Sequence, residues 1–173
     1  MRNEEKNHLL AKAFQKTIAT HKGILFKVAR IYCQDEEDRK DLIQEMMIQI
    51  WRSFPTYKEQ YKISTWLYRI ALNVAISFYR KNKRQKGNNV FLNEKIEPIS
   101  EDVDPEQEHQ LQLLDKFINE LNDLDKALML LYLEEKNQNE IAEILGISVS
   151  NVSTKIGRIK TKLKKRFSLL RDE

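Results

Sequence analysis

Residues 138–166 carry two opposite helical faces, and this stretch limits the possible folds of the chain more than any other. Asn137, followed three residues later by Glu140, has the pattern of a capping box and predicts the start of a helix. Gly146 allows a tight turn, and Ser148 can cap a second helix. Along that second helix, apolar side chains recur on one side at helical spacing, at Val152, Ile156, Ile159 and Leu163. The pattern predicts a helix-turn-helix.

The other side of the second helix is polar and basic. It carries Asn151, Thr154, Lys155 and Arg158. Asparagine and arginine are side chains that hydrogen-bond adenine and guanine edges with two bonds each in a major groove. The segment from Lys155 to Arg171 contains no acid, and its further lysines and arginine suit phosphates. We therefore predict that this segment binds duplex DNA; the alternative is an amphipathic helix pair with a solvated outer face.

The composition indicates an all-α protein. Only 4 glycines and 3 prolines occur in 173 residues, and a hydrophobic content of 41% is sufficient for packed cores. The formal charge of +4 is modest, but its distribution is uneven. Basic residues concentrate at positions 80–86 and again from Lys155 onward, whereas acids concentrate at positions 94–108. This asymmetry says more about binding partners than the net charge does.

Other site classes find little support in the sequence. The one cysteine, Cys33, cannot form an internal disulfide and predicts a reducing compartment. The three histidines have no cysteine or histidine partner at metal-ligand spacing, so we expect neither a metal nor a cofactor. No apolar run approaches the roughly 20 residues of a membrane helix. We expect a cytoplasmic protein that is not itself a membrane protein.

Helical periodicity divides the chain into two small helical domains, at residues 1–84 and 106–173, joined by a flexible acidic linker at residues 85–105. In the first domain we expect a helix from about Leu9 that Gly23 interrupts, a second at residues 36–53 ended by Pro55, and a third at residues 64–83. The side chains of the second helix that we expect to point inward are Leu42, Met46, Ile50 and Trp51. The third helix has an apolar stripe at Trp66, Leu67, Ile70, Ala71, Val74 and Phe78. In the second domain, Asp123 can cap the helix before the helix-turn-helix.

Three segments together resemble a known family. The first is DLIQE at residues 41–45, which leads to Trp51 and Arg52; the second is STWLYRIALN at residues 64–73; the third is EIAEILGIS at residues 140–148. In this order and spacing they resemble a bacterial RNA polymerase sigma factor of the extracytoplasmic-function type, group IV of the sigma-70 family. The resemblance implies a sigma region 2 at residues 1–84 and a sigma region 4 at residues 106–173.

The resemblance also implies roles for single residues. Contacts with the polymerase core would come from the second helix, at Asp41, Gln44, Glu45, Ile48 and Arg52. Recognition and melting of the downstream promoter element would involve the third helix and the loop before it, at Tyr61, Lys62, Ser64, Arg69, Asn73, Ser77 and Arg80. Recognition of the upstream element would use the helix-turn-helix, at Asn151, Ser153, Thr154, Lys155, Arg158 and Lys162.

Two features of the first domain leave alternatives open. The family often has glycine and phenylalanine shortly before the Thr65-Trp66 pair, whereas this chain has Ile63, which cannot stack as a ring does. The base preference of the downstream loop is therefore open. Trp66 itself is interpreted as core packing in preference to base stacking.

The resemblance names partners and leaves two roles for the linker. The implied partners are promoter DNA, the beta-prime clamp and beta flap of the polymerase core, and an anti-sigma factor, which is membrane-anchored for many relatives. The acidic linker is either a soluble spacer or a segment whose negative charge mimics nucleic acid inside polymerase.

We therefore predict a promoter-specificity subunit that binds core polymerase and assists DNA opening, and that is not an enzyme. One alternative is a free-standing dimeric DNA-binding regulator, which would leave the first domain without a task. A nuclease is a weaker alternative, because the sequence has no glycine-rich phosphate loop and no Cys/His metal cluster.

Overall fold

A computed structural model of the chain describes residues 2–86 and 105–171. Within these residues the protein consists of seven α-helices and one 3-10 turn, without a strand. Contacts divide the chain into two compact units, Met1–Asn89 (unit 1) and Val90–Glu173 (unit 2). This confirms the all-α prediction with two helical domains. Residues 87–104, which form most of the predicted linker, lie outside the described residues.

Unit 1 is a three-helix assembly. Its helices are α1 (Arg2–Tyr32), α2 (Glu36–Ser53) and α3 (Ile63–Lys86), and the 3-10 turn Phe54–Thr56 follows α2. The side chain of Asp35 caps α2 by accepting a bond of 2.9 Å from the Asp38 backbone N–H. Helix α3 packs against both other helices, and the core between them is formed by Leu25, Val28, Leu42, Met46, Ile50, Leu67, Ala71, Leu72 and Ala75.

Two expectations for unit 1 are wrong in detail. Gly23 does not interrupt α1, because the helix continues through it to Tyr32. The buried side of α3 is also displaced from the predicted stripe: Tyr68, Leu72 and Ala75 are buried, whereas Trp66 is only partly covered. Leu67 and Ala71 of the predicted stripe are buried, and the covered surface extends from them to Tyr68, Leu72 and Ala75 because α3 packs against two helices.

Unit 2 contains α4 (Pro105–Glu120), α5 (Asp123–Leu133), α6 (Gln138–Leu145) and α7 (Val149–Arg171). Helix α5 is apolar on most of its circumference and supplies the centre of the core, with Ala127, Leu128 and Leu131 fully buried. Asn122, rather than Asp123, caps this helix, because its side chain accepts a bond of 3.0 Å from the Asp125 backbone N–H. Both residue types can cap, and the chain places the cap one residue earlier than predicted.

Candidate DNA and partner interfaces

The helix-turn-helix forms through the local bonds that the sequence predicts. The Asn137 side chain accepts a bond of 2.9 Å from the Glu140 backbone N–H, and the Glu140 carboxylate accepts one of 3.2 Å from the Asn137 backbone N–H. Gly146 ends α6 with φ of 66°, a left-handed conformation that favours glycine. The Ser148 hydroxyl then accepts a bond of 3.2 Å from the Asn151 backbone N–H and starts α7. The predicted capping box, turn and second cap are confirmed.

Helix α7 presents one row of polar side chains to solvent. Its apolar side, with Val152, Ile156 and Ile159, is buried within unit 2, where α7 packs against α5 and α6. The exposed row on the other side consists of Asn151, Thr154, Arg158 and Lys162, spaced by three or four residues so that neighbours share a face. Ser153 is exposed as well but stands off this row, because residues two apart on a helix point to different sides.

Lys155 belongs to this helix but turns inward. Its Nζ lies 3.4 Å from Oδ1 of Asp125 on α5, and its side chain is only 30% exposed. Helical spacing alone predicts an outward Lys155, since an acid thirty residues away cannot be recognised from that spacing. The Lys155 side chain instead extends from α7 to α5, where its ammonium meets the Asp125 carboxylate.

Two more cations of α7 are engaged inside unit 2. Lys160 Nζ lies 4.3 Å from the ring centroid of Tyr132, a cation–π geometry. Arg166 donates two hydrogen bonds to the Glu120 carboxylate, one of them of 2.9 Å from Nη2. This bonding lowers the pKa of Glu120 and raises the pKa of Arg166. Both side chains of the pair are almost half exposed, so salt screens it.

Helix α3 presents a second exposed row, formed by Arg69, Asn73, Ser77 and Arg80. At its C-terminal end lies a shallow depression of about 440 Å³, lined by Ser77, Arg80, Lys81 and Arg84. Three of these four side chains are cationic, so the depression suits a phosphate backbone. All four residues of the row, which the resemblance assigns to the downstream promoter element, are exposed.

The loop before α3 is held by aromatic contacts. The Tyr57 hydroxyl donates a bond of 2.6 Å to the Tyr61 carbonyl oxygen, and the Tyr57 ring lies 5.0 Å from the Trp66 ring. Tyr61 is 44% exposed, Lys62 is exposed and Ser64 is half-buried. Trp66 packs on Tyr57 and Phe54, which supports its interpretation as a packing residue. An exposed tyrosine on a fixed loop offers a stacking surface for an unpaired base.

Helix α2 exposes a mixed polar and apolar face. Asp41, Gln44, Ile48 and Arg52 are exposed, while Glu45 is half-buried and accepts a bond of 3.0 Å from Gln49 Nε2. Two neighbours on this face were not predicted from the sequence: Met47 was not selected, and Trp51 was expected to point inward. Both are more than a third exposed. Met47 lies three residues after Gln44 and Trp51 three residues after Ile48, so helical spacing was the signal that could have placed both on the exposed face.

Two site classes find no support in the described part of the chain. No helix there is long and apolar enough to cross a membrane. Among the same residues, histidine, cysteine and acidic side chains do not gather into a group that could hold a metal ion.

Comparison with known proteins identifies two matching family profiles. The profile described as Sigma-70 region 2 matches residues 17–85, which include α2, the loop after it and all of α3 except its last residue. The profile described as Sigma-70, region 4 matches residues 111–163, which include the helix-turn-helix. Together they match most of the chain, and their order is the order predicted from the three sequence segments.

Individual relatives agree with these profiles. The chain is 30% identical over 142 residues to the RNA polymerase sigma factor YlaC of Bacillus subtilis, and the aligned region covers 79% of this chain and 82% of YlaC. It is 29% identical to the ECF RNA polymerase sigma-E factor of Haemophilus influenzae, with 94% of this chain and 88% of that protein covered. The solved structure of the Bartonella quintana sigma factor RpoE in complex with the anti-sigma factor NepR has the same fold, with a TM-score of 0.74, 20% identity and coverage of 91% of this chain and 98% of that one.

Proposed function

The chain belongs to the sigma-70 family of RNA polymerase sigma factors, which direct promoter-specific transcription, and we propose that its two units divide this work. Unit 1 binds the polymerase core through α2 and captures the downstream promoter element through α3 and its preceding loop. Unit 2 recognises the upstream element through α7 and contacts the beta flap. The division explains why two separate exposed rows of DNA-compatible side chains stand on two different units.

The observation that carries the proposal is the exposed row of α7. Asn151, Thr154 and Arg158 lie opposite a buried apolar side, at the N-terminal part of the second helix of a helix-turn-helix. In this motif the corresponding part of the helix enters the major groove. Asparagine and arginine match adenine and guanine edges there, and Lys162, farther along, suits a phosphate. Thr154 donates its hydroxyl to the Ser150 carbonyl at 2.9 Å, so its methyl group and remaining lone pair are available to a base.

The proposed core contact rests on the exposed apolar side chains of α2. Ile48 is 45% and Trp51 is 40% exposed, on a helix whose other side is fully buried. Exposed apolar side chains framed by polar ones are typical of a protein interface. We assign Asp41, Gln44, Glu45 and Arg52 to the polar rim of the contact with the beta-prime clamp.

The proposed role of α3 is capture of separated strands. Arg69, Asn73, Ser77 and Arg80 form a polar row that ends in the basic depression. Cationic grooves combined with an aromatic side chain bind single strands, because the cations contact the backbone and the ring stacks on a base. Tyr61 supplies the ring, and Lys62 and Ser64 flank the site on the same loop.

We also propose a protein inhibitor as a further partner. The similar sigma factor RpoE was solved with the anti-sigma factor NepR, and CnrH was solved with the cytosolic domain of CnrY. An anti-sigma factor of this chain would cover the exposed face of α2 and keep it from core polymerase. We place the protein in the cytoplasm, where core polymerase works, and assign it no catalytic activity of its own.

The test compares DNA binding by the free chain and by the chain with core polymerase. We expect weak binding of duplex DNA by the free chain and tight, promoter-specific binding by the holoenzyme, because neither unit alone offers a large DNA interface. Nanomolar, sequence-specific binding by the free chain at physiological salt would contradict the proposal and support a free-standing regulator.

A further inference from the structure

Lys155 occupies a position beside the exposed row of α7. It follows Asn151 by four residues and precedes Arg158 by three, so it borders both on the helix surface. A lysine there has the reach to contact a phosphate next to the groove. Its Nζ nevertheless lies 3.4 Å from Asp125 Oδ1, and 70% of the side chain is covered. The charge is therefore compensated inside unit 2.

Asp125 is fixed in the position that holds this lysine. The Asn122 amide donates a bond of 2.8 Å to Asp125 Oδ2, and the Asp125 backbone N–H donates one of 3.0 Å to Asn122 Oδ1. Asp125 also stands in the first turn of α5, where the helix dipole favours a carboxylate. Asn122 thus occupies one carboxylate oxygen, while the other faces Lys155.

The burial of this pair distinguishes it from the other ion pair of α7. The Asp125 side chain is only 15% exposed, whereas Glu120 and Arg166 are 47% and 44% exposed. Solvent and salt screen an exposed pair, and screen a covered pair much less. A phosphate can compete for Arg166 more easily than for Lys155.

We propose that Asp125 is a positioning residue that withholds the charge of Lys155 from the DNA backbone. This rests on the proposed recognition of the upstream element by unit 2. A phosphate contact attracts every DNA sequence, so one cation fewer lowers affinity for non-promoter DNA as well as for promoters. Asn151 and Arg158 then supply the sequence preference, and the pair limits how strongly the chain binds DNA of any sequence.

The test measures the salt dependence of holoenzyme binding to promoter and non-promoter duplexes. Asp125→Asn retains the shape of the side chain and its bond with Asn122 but releases the ammonium of Lys155. We expect the slope of log affinity against log salt to steepen by about one unit on both duplexes. Lys155→Met should leave the wild-type slope unchanged, and the double variant should return to it.

A control variant distinguishes release of the Lys155 ammonium from a general loss of negative charge as the cause of a steeper slope. Glu135→Gln removes the same charge from an exposed residue outside the ion pairs of the described residues, and should not change the slope. A wild-type slope for Asp125→Asn, or a slope reduced by one unit for Lys155→Met, would overturn the proposal. If Asp125→Asn fails to fold, the salt slope of Lys155→Met alone tests the proposal. If Arg158→Ala changes neither promoter preference nor the salt slope, the failure instead lies in the proposed upstream recognition.

Discussion

The ring of Phe14 meets the ring of Trp51 edge-on, with centroids 5.0 Å apart and planes inclined by 71°. Phe14 lies on α1 and also contacts the Phe54 ring at 5.5 Å. Phe14 therefore packs against one side of the Trp51 ring, although 40% of the Trp51 surface is exposed. A side chain that is already ordered before binding loses less conformational freedom in a complex. This makes Trp51 the best candidate for an anchor of the α2 face.

Trp51→Ala is accordingly expected to weaken the binding of core polymerase by about tenfold or more, because buried aromatic anchors contribute most to interfaces. The measurement is a titration of the labelled chain with core polymerase, with circular dichroism as the check of folding. Phe26→Ala is the matched control, since Phe26 is an aromatic residue of α1 that is 56% exposed and lies outside α2. Equal affinities of the wild type and Trp51→Ala would exclude Trp51 from the interface.

Asn73 tests whether α3 acts on opened DNA or only on docking. Asn73→Ala removes an exposed amide from the row of α3 without touching the core. We expect less open complex at unchanged recruitment of polymerase, because these side chains would meet strands that are exposed only after melting. Permanganate reactivity of unpaired thymines measures opening, and gel retardation of the holoenzyme measures recruitment. A parallel loss in both assays would indicate a docking role instead.

The local parts of the fold follow from the sequence, and the parts that depend on distant contacts do not. The capping box of Asn137 and Glu140 needs only residues three apart, so its pattern is visible in the chain itself. The inward turn of Lys155 depends on Asp125, which reaches it through the packing of α5 on α7. Spacing along one helix contains no information about that acid.

The error at Trp51 has a different cause. Trp51 lies three residues after the exposed Ile48, so helical spacing indicated the outer side of α2, and only the apolar character of the ring favoured an inward position. The position of Phe14 on another helix determines how much of the ring is covered. Apart from Lys155 and Ser64, the residues proposed for DNA contact are exposed, as polar and charged side chains usually are.

Two glycines of unit 2 provide a paired test of the helix-turn-helix. Gly146 has φ of 66°, whereas Gly157 lies inside α7; an added Cβ would meet no atom within 4 Å at either position. Gly146→Ala should destabilise unit 2 by about 1–2 kcal/mol through backbone strain. Gly157→Ala should stabilise it by about 0.5–1 kcal/mol, because alanine favours a helix interior.

Hydrogen exchange at the buried amides of α5 measures this difference separately from unit 1. Because neither substitution causes a steric clash, backbone conformation is the only property that separates the two sites. Effects of the same sign would contradict the left-handed turn at Gly146.

The central claim is that two units recognise two separate promoter elements, and Arg158 tests it most directly. Arg158 is exposed and stands on the α7 row, seven residues after Asn151. If it contacts a base, Arg158→Ala should cost about 1–3 kcal/mol and relax the preference at one position. If it contacts a phosphate, the loss should be uniform across sequences, and the salt slope should fall by about one unit.

The decisive measurement is transcription from a library of promoter variants by holoenzymes that contain the wild-type chain, Arg158→Ala or Lys162→Ala. We predict that Arg158→Ala changes preference or affinity only through the upstream element, that Lys162→Ala weakens all promoters uniformly, and that preference at the downstream element stays at its wild-type pattern for both. A changed preference at the downstream element, with the upstream element untouched, would contradict the division of promoter recognition between the two units.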